Sequence, residues 1–269
     1  MMLAAAHPTL DLGSRIGFGD VALALMLVAV AIVISRVRGV GLERDIGIAT
    51  LRSFTQLLAI GYVLDFVFGG HGGLTLVVLL VMITTATLTS GSRARRVPGA
   101  RAVAAVSVTV AAGATLGVLI VAGIVPVSAR AVIPLGSMII SSAMNTTSLV
   151  MTRLHDDLAA ARREVEARLS LGMTAHDAAR PWHRLSLRSG MLPVIDQTKV
   201  VGLVALPGAM TGMILAGASP LAAIRLQMVV MYMLLGGNAF AALVAGELTV
   251  RRLFTPTHQL IRSLRRVPQ

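Results

Sequence analysis

Long apolar runs separated by short polar connections dominate this sequence. A bilayer core about 30 Å thick needs roughly 20 apolar residues for each helix that crosses it. Runs near that length recur along the chain at Phe18–Ser35, Ile46–Phe68, Leu74–Ser90, Ala102–Val125, Val132–Met151, Val194–Gly217 and Leu221–Val250. The pattern predicts an all-α, polytopic integral membrane helix bundle with about seven transmembrane helices, which we expect to form one domain over residues 1–269.

The composition supports a surface that faces lipid. Hydrophobic residues make up 55% of the 269 residues and charged residues only 13%, whereas a soluble domain carries about 25% charged residues. So little charge cannot cover the surface of a soluble protein of this length. The N-terminal segment lacks a basic stretch before its first apolar run, so we expect no cleaved signal peptide.

The basic residues lie mostly on one side of the predicted membrane. The chain has 24 Lys and Arg residues, and 19 of them follow odd-numbered runs, including Arg262, Arg265 and Arg266 in the tail. Only three lie on the other side: Arg15, Arg130 and Arg225. The positive-inside rule therefore predicts an outside N-terminus and an inside C-terminus. The net charge of +12 does not indicate nucleic-acid binding, because the arginines form no single patch.

Polar residues within the apolar runs indicate helix faces that avoid lipid. In the fifth run they form a stripe at helical spacing, made of Ser141, Asn145, Ser148 and Thr152. This stripe could line a translocation pathway or could serve small-residue packing with hydrogen bonds between helices. Gln56 lies deep in the second run, and we expect it to face the bundle.

The sixth run carries a helix-breaking segment near its middle, with the candidate pathway residues Pro207, Gly208, Met210, Thr211 and Gly212. Proline removes a helical hydrogen bond, and glycine allows backbones to approach closely. Broken helices at membrane depth often mark transport sites. A packing kink is the alternative interpretation.

Three classes of chemistry receive little support from the sequence. The only lysine, Lys199, precedes Val200, so the chain has no P-loop and we expect no directly bound cofactor. The six histidines are expected in loops or tails, which argues against a hydrolase within the membrane, and the chain has no cysteine. The 14 methionines could bind a soft metal, but flexible packing is the favoured interpretation.

The largest polar segment, residues 153–193, is predicted to be cytoplasmic. Its first part, Leu154–Leu171, is expected to prolong the fifth span, and Gly172 to end that helix. Thr174 and Asp177 have the spacing of a capping box and predict a second helix that starts before Pro181. Two further charged pairs, Asp196 with Lys199 and Glu247 with Arg251, have spacings at which the partners can satisfy each other.

Residues 166–260 carry several motifs of one known family. The motifs are Glu-Ala-Arg-Leu-Ser-Leu-Gly-Met-Thr from Glu166, Leu-Pro at residue 192, Leu-Pro-Gly-Ala-Met-Thr-Gly from Leu206, and Arg-Arg-Leu-Phe-Thr from Arg251. The sequence resembles the small bacterial ABC-transporter permeases of the iron-export family, which includes plant aluminium-tolerance membrane subunits. It departs from that family at Ser141–Ser142 and at Met213, and both departures bear on the substrate.

The resemblance implies a non-enzymatic permease subunit in the bacterial cytoplasmic membrane. It would work as a homodimer with a separate ABC ATPase that binds the ATP, and its cargo would be iron or another metal, or else a nucleotide sugar. Glu166, Ala167 and Gly172 match the start of the coupling motif of ABC permeases, so the implied ATPase-coupling residues are these three with Thr174 and Asp177. The alternative is a stand-alone secondary transporter or channel that uses the polar stripe and the Pro207 break.

Overall fold

This computed structural model describes residues 17–69, 72–261 and 264. Nine α-helices account for most of these described residues. They are α1 (Phe18–Val37), α2 (Glu43–Phe68), α3 (Thr75–Arg93), α4 (Ala100–Val121), α5 (Ala129–Ala160), α6 (Arg162–Ser170), α7 (Ala175–Val200), α8 (Gly208–Leu215) and α9 (Pro220–Leu253). A short 3₁₀ helix, Gly72–Leu74, precedes α3. Several residues used in the charge and histidine arguments lie outside the described residues, namely His7, Arg15, His71, Arg262, Arg265 and Arg266.

The helices confirm the predicted all-helical membrane class. Five of them, α1, α2, α3, α4 and α9, are long and apolar enough to cross a bilayer. Their bounds differ from the predicted runs by only a few residues, and Pro220 begins α9, a position where its missing N–H costs no helical bond. Helix α5 covers the fifth predicted run but continues nine residues beyond Met151, to Ala160.

The segment after the fifth run differs from the prediction in its helix boundaries. The prolongation of that run does not reach Leu171, because α5 ends at Ala160 and a separate helix, α6, follows after Ala161. Helix α7 then runs unbroken through Pro181 and Pro193 to Val200. The second cytoplasmic helix and the first part of the sixth run therefore form one helix, and Pro193 does not end the segment.

The predicted break in the sixth run is a non-helical connection. Residues 201–207 separate α7 from α8 and include an isolated bridge between Val201 and Ala205. Gly202 adopts φ +83°, a left-handed conformation that disfavours most side chains. Pro207 is the N-cap of α8. The break therefore extends over several residues before the Pro207-Gly208 pair.

The chain divides into two units, the first with residues 1–71 and 207–227 and the second with residues 72–206 and 228–269. In the first unit α1 packs against α2, and only 6% of the most apolar window of each helix is buried. In the second unit α3, α4 and α5 pack against one another, and α7 packs against α5 and α6. The inner face of α4 is made mainly of small residues that let neighbouring helices approach, among them Ala104, Ser107, Val108, Ala111, Ala112 and Thr115.

Candidate coupling element and pathway residues

The polar stripe on α5 changes from exposed to buried along its length. Ser141 and Asn145 are exposed, Ser148 is buried and Thr152 is half-buried. The three hydroxyls donate to carbonyls of their own helix, as Thr152 Oγ1 does to Ser148 O at 2.8 Å. Only Asn145 reaches another helix, because its Oδ1 accepts a 2.7 Å hydrogen bond from Arg93 Nη1 on α3. The stripe therefore ends against the basic end of α3.

The sequence analysis did not predict a buried polar network that lies next to this stripe. Thr146 Oγ1 on α5 donates to Asn238 Oδ1 on α9 at 2.6 Å, and Asn238 Nδ2 donates to Ser142 Oγ at 2.7 Å. Asn238 is 1% exposed. The signal was visible in the chain, because an asparagine in the middle of an apolar run must find partners within the bundle.

The other candidate pathway residues lie in the first unit. Gln56 is exposed on α2, and its place in the pathway stays a prediction. In α8, Thr211 Oγ1 donates to the carbonyl of the N-cap residue, Pro207, at 3.2 Å, and Met210 is buried. The structure therefore places Pro207, Gly208, Met210, Thr211 and Gly212 together, on the first one and a half turns of α8.

The predicted cytoplasmic segment has a hydrophobic core of its own, which we call the coupling cluster. Its buried side chains come from the end of α5, from α6, from the start of α7, from the end of α9 and from the chain after it: Leu154, Leu158, Val165, Ala175, Ala178, Ala179, Val250, Leu253, Phe254, Leu260 and Leu264. Leu154, Leu158 and Val165 are fully buried. This segment is therefore a folded element attached to the helix bundle.

The turn between α6 and α7 presents apolar side chains at the tip of that element. Leu171 is 84% exposed and Met173 is 42% exposed. Gly172 has φ +87°, a left-handed conformation that favours glycine. The prediction that Gly172 ends the first helix is confirmed, although the helix concerned is α6.

The N-terminus of α7 is capped as the spacing predicts. Thr174 Oγ1 accepts a hydrogen bond from the Asp177 backbone N–H at 3.2 Å and donates its own proton to Asp177 Oδ2 at 2.7 Å. His258 adds a second cap from the far end of the chain, because its Nδ1 accepts the Ala175 N–H at 3.2 Å. These bonds satisfy donors that a helix N-terminus leaves without partners.

The two glutamates of α6 make equivalent ion pairs but face different surroundings. Glu166 Oε1 lies 3.0 Å from Arg162 Nε, and Glu164 Oε1 lies 2.7 Å from Arg168 Nη2. Only Glu166 lines a groove of about 610 Å³ that also contains Gly172, Met173 and Gln259. Ala167 is exposed next to it. Two residues of the coupling motif, Glu166 and Gly172, therefore border one groove.

Helix α7 is tied to the end of α9 by a charged cluster around Glu247. Its carboxylate lies 2.9 Å from Arg251 Nε and 3.5 Å from His176 Nε2. His183 packs against His176, with ring centroids 5.8 Å apart, and its Nε2 is buried without a hydrogen-bond partner. Burial, reinforced by the charge of His176 and opposed by Glu247, lowers the pKa of His183 from its ordinary value of 6.5.

The predicted charged pairs are formed, but the predicted placement of the histidines is not observed. The pairs Asp196–Lys199, at 3.0 Å, and Glu247–Arg251 are both formed. The placement of all histidines in loops or tails is wrong, because His155 lies on α5 and both His176 and His183 lie on α7. Across the described residues, no group of three or more His, Cys, Asp or Glu side chains is placed to hold a metal ion.

Comparison with known proteins covers most of the chain. It is 40% identical to the UPF0014 membrane protein STAR2 of Oryza sativa subsp. japonica, over 88% of this chain and 84% of that protein. It is 38% identical to the protein ALUMINUM SENSITIVE 3 of Arabidopsis thaliana, over 89% and 88% of the two chains. It is 37% identical to the "Probable iron export permease protein FetB" of Escherichia coli strain K12, over 90% and 94%.

No solved structure matches this chain. The profile of the "Uncharacterised protein family (UPF0014)" matches residues 18–254, which include every helix described above. The resemblance to the iron-export and aluminium-tolerance permeases is thereby confirmed, since relatives with those names share over a third of their residues with this chain. This protein is a member of the UPF0014 family of membrane proteins.

Proposed function

We propose that this chain is the transmembrane permease subunit of an ABC transporter that exports iron or another metal ion. Two copies pair in the bacterial cytoplasmic membrane with two separate ATPase subunits. Each copy has seven spans, an outside N-terminus and an inside C-terminus, as the distribution of basic residues supports. The name of the Escherichia coli relative supports iron as the cargo.

The observation that carries this proposal is the folded coupling cluster with its exposed apolar tip. Exposed Leu171 and Met173 lie beside Gly172, whose left-handed conformation sets the turn. Apolar side chains exposed next to one another outside the bilayer are consistent with a surface that docks a partner. Since the tip is joined to α5 and α9 through a buried core, an ATPase that moves it also moves these helices.

The polar stripe and the α8 residues supply the pathway in this mechanism. ATP binding closes the ATPases and displaces the coupling cluster. Because α7 is continuous from the coupling turn to Val200, the displacement reaches the break at residues 201–207. A non-helical connection at membrane depth is tolerated only within protein or along a cavity. The break is therefore where access changes.

The test compares two glutamates of α6. We expect Glu166→Ala and Gly172→Ala to abolish ATP-driven metal uptake into inverted vesicles, which corresponds to export from the cell, while membrane insertion stays normal. Glu164→Ala is the matched control, because it removes a similar ion pair at 2.7 Å on the same helix but outside the groove. Normal export by the Glu166 and Gly172 variants would overturn the coupling role.

The partner and the cargo need separate measurements. The chain should co-purify with an ATPase that carries a P-loop, and Fe²⁺ should stimulate ATP hydrolysis by the complex in proteoliposomes. Stimulation by another metal and not by Fe²⁺ would remove the iron assignment and keep the permease. Transport without any ATPase would overturn the proposal in favour of a stand-alone channel or secondary transporter.

A further inference from the structure

A basic pocket lies where the polar stripe of α5 meets the end of α3. We call it the arginine pocket. It has a volume of about 500 Å³ and is lined by the residues Ser92, Arg93, Ala94, Arg95, Arg96, Val97, Thr152, His155 and Asp156. Thr152 belongs to both the stripe and the pocket. The lining residues include three arginines and one aspartate, so the pocket carries a net positive charge.

The backbone that carries these arginines is held in place. Ala94 is 1% exposed and Val97 is 3% exposed, and both belong to a buried cluster with Val150 and Met151 of α5. A methyl group at Gly91 would lie 2.6 Å from the Cγ of Arg101, so the last turn of α3 packs closely on the start of α4. The backbone of this turn is therefore held in place, while Arg93, Arg95 and Arg96 are exposed.

The arginines keep donors available for a ligand. Within the described part of the chain, Arg93 donates to Asn145 at 2.7 Å, Arg95 to the carbonyl of Ser92 at 2.9 Å, and Arg96 to Asp156 at 3.5 Å. A guanidinium group has five N–H donors, so each of these bonds uses a small part of its capacity. Asp156 also lies 3.0 Å from His155 Nδ1, which divides its charge between two partners.

The positive-inside rule accounts for the number of arginines in this connection. It does not account for their convergence on a cavity whose other wall is formed by Thr152, His155 and Asp156 of α5. Arg252 lies beside the end of the same connection, since a methyl group at Gly99 would be 3.6 Å from its guanidinium carbon. Planar guanidinium groups match the geometry of phosphate oxygens in pairs of hydrogen bonds.

We propose that the arginine pocket is a binding site for a phosphate group. Two sources supply that chemistry at a predicted cytoplasmic surface: the headgroup of an anionic lipid and a soluble phosphate compound. Basic pockets between membrane helices on this side are known to hold anionic headgroups. In the transporter proposed above, on which this further step rests, a soluble ligand here would lie at the end of the polar stripe.

The test uses the purified chain alone, without ATPase, so its outcome is independent of the transport assay. Inorganic pyrophosphate is titrated calorimetrically into delipidated protein in a neutral detergent. In a second arm, native mass spectrometry measures retention of phosphatidylglycerol against phosphatidylcholine. Binding in the first arm identifies a soluble ligand, and retention in the second identifies a lipid.

Three variants make the result specific to the pocket. The double substitution Arg95→Gln/Arg96→Gln should weaken binding at least about tenfold, because it removes charge-assisted hydrogen bonds. Asp156→Asn should strengthen binding severalfold, because it removes the competing carboxylate. The control Arg184→Gln/Arg188→Gln makes the same charge change at exposed positions of α7 and should leave binding within about twofold of the unmodified chain.

The proposal is overturned if the unmodified chain binds neither pyrophosphate nor phosphatidylglycerol. It is also overturned if the α7 control loses as much binding as the pocket variant, since the effect would then be one of overall charge. Weaker binding by Asp156→Asn would contradict the proposal as well. It would show that substitutions in this pocket reduce binding by disturbing the local structure and not by changing its charge.

Discussion

Thr146 and Asn238 are 92 residues apart in sequence and join α5 to α9 through a 2.6 Å hydrogen bond. The Thr146 hydroxyl also lies 3.3 Å from the carbonyl of Gly190 on α7. Asn238 donates in turn to Ser142 and to the Leu234 carbonyl, both at 2.7 Å. Helices α5, α7 and α9 are therefore joined by one buried polar network.

Replacing Asn238 should destabilise this network. We expect Asn238→Leu to lower the free energy of unfolding by about 1–2 kcal/mol, because Thr146 loses its acceptor in a buried site. Reversible unfolding in mixed micelles measures the change. A double-mutant cycle with Thr146→Val should show coupling between the two positions. Additive effects would show that the hydrogen bond contributes nothing to stability.

Two glycines of α9 should respond in opposite ways to a methyl group. At Gly246 a methyl group would lie 2.5 Å from His183 Nε2 and 2.8 Å from Leu187 Cδ2, so Gly246→Ala must push α7 away. We expect a loss of about 1–3 kcal/mol. At Gly236 a methyl group would meet no atom of another described segment within 4 Å, so Gly236→Ala should be neutral or slightly stabilising. Equal thermal stability of the two variants would contradict the close packing of α7 on α9.

Removing the cap of α7 should loosen the coupling turn locally. We expect Thr174→Ala to cost about 1 kcal/mol, since the Asp177 N–H loses its acceptor. Hydrogen exchange at the first turn of α7 should become faster, while exchange in the middle of α4 stays unchanged. Thr174→Ser keeps the hydroxyl and is the matched control. Unchanged exchange in the alanine variant would show that His258 alone is a sufficient cap.

The half-buried His183 predicts a loss of stability in acid. Since burial lowers its pKa in the folded protein below the ordinary 6.5, the unfolded chain binds the proton more readily. The stabilising contribution is complete above pH 6.5 and is lost as the pH falls through the folded-state pKa. Fluorescence of Trp182, the single tryptophan, follows melting at each pH.

The variant His183→Gln isolates this contribution. It cannot titrate, so its melting temperature should fall less steeply than that of the unmodified chain over the same acid range. His176 and Arg251 also face this cluster, together with Glu247, and remain present in both proteins. An identical pH dependence of the two proteins would show that other groups cause the acid loss.

Much of the helical architecture was predictable from the sequence, because its cause is local. A helix must satisfy every backbone polar group within lipid, so long apolar runs such as Leu221–Val250 become long helices wherever they fall. The Thr174–Asp177 cap and the left-handed Gly172 were also readable, since each depends on residues within one turn. The arginine distribution predicted which side of the membrane each connection occupies. The orientation of the chain in the membrane stays a prediction.

Helix continuity and side-chain partners depended on contacts between distant residues. Pro181 and Pro193 read as breakers but lie inside α7, where buried Ala178, Ala179 and Val194 pack that helix on its neighbours. The coupling cluster joins α5 to residues about 100 positions later in the chain, such as Leu260. No local pattern reports such a contact.

The sequence by itself determined that this protein is a helical membrane protein with a broken sixth run and a capped polar segment. Tertiary structure alone decided that the polar segment has its own buried core, that Asn238 finds Thr146, and that Arg93, Arg95 and Arg96 meet α5 around one pocket. The physical reason is the distance along the sequence over which each interaction acts. Hydropathy and capping act within a helix, whereas burial and hydrogen bonding between helices depend on which faces the fold brings together.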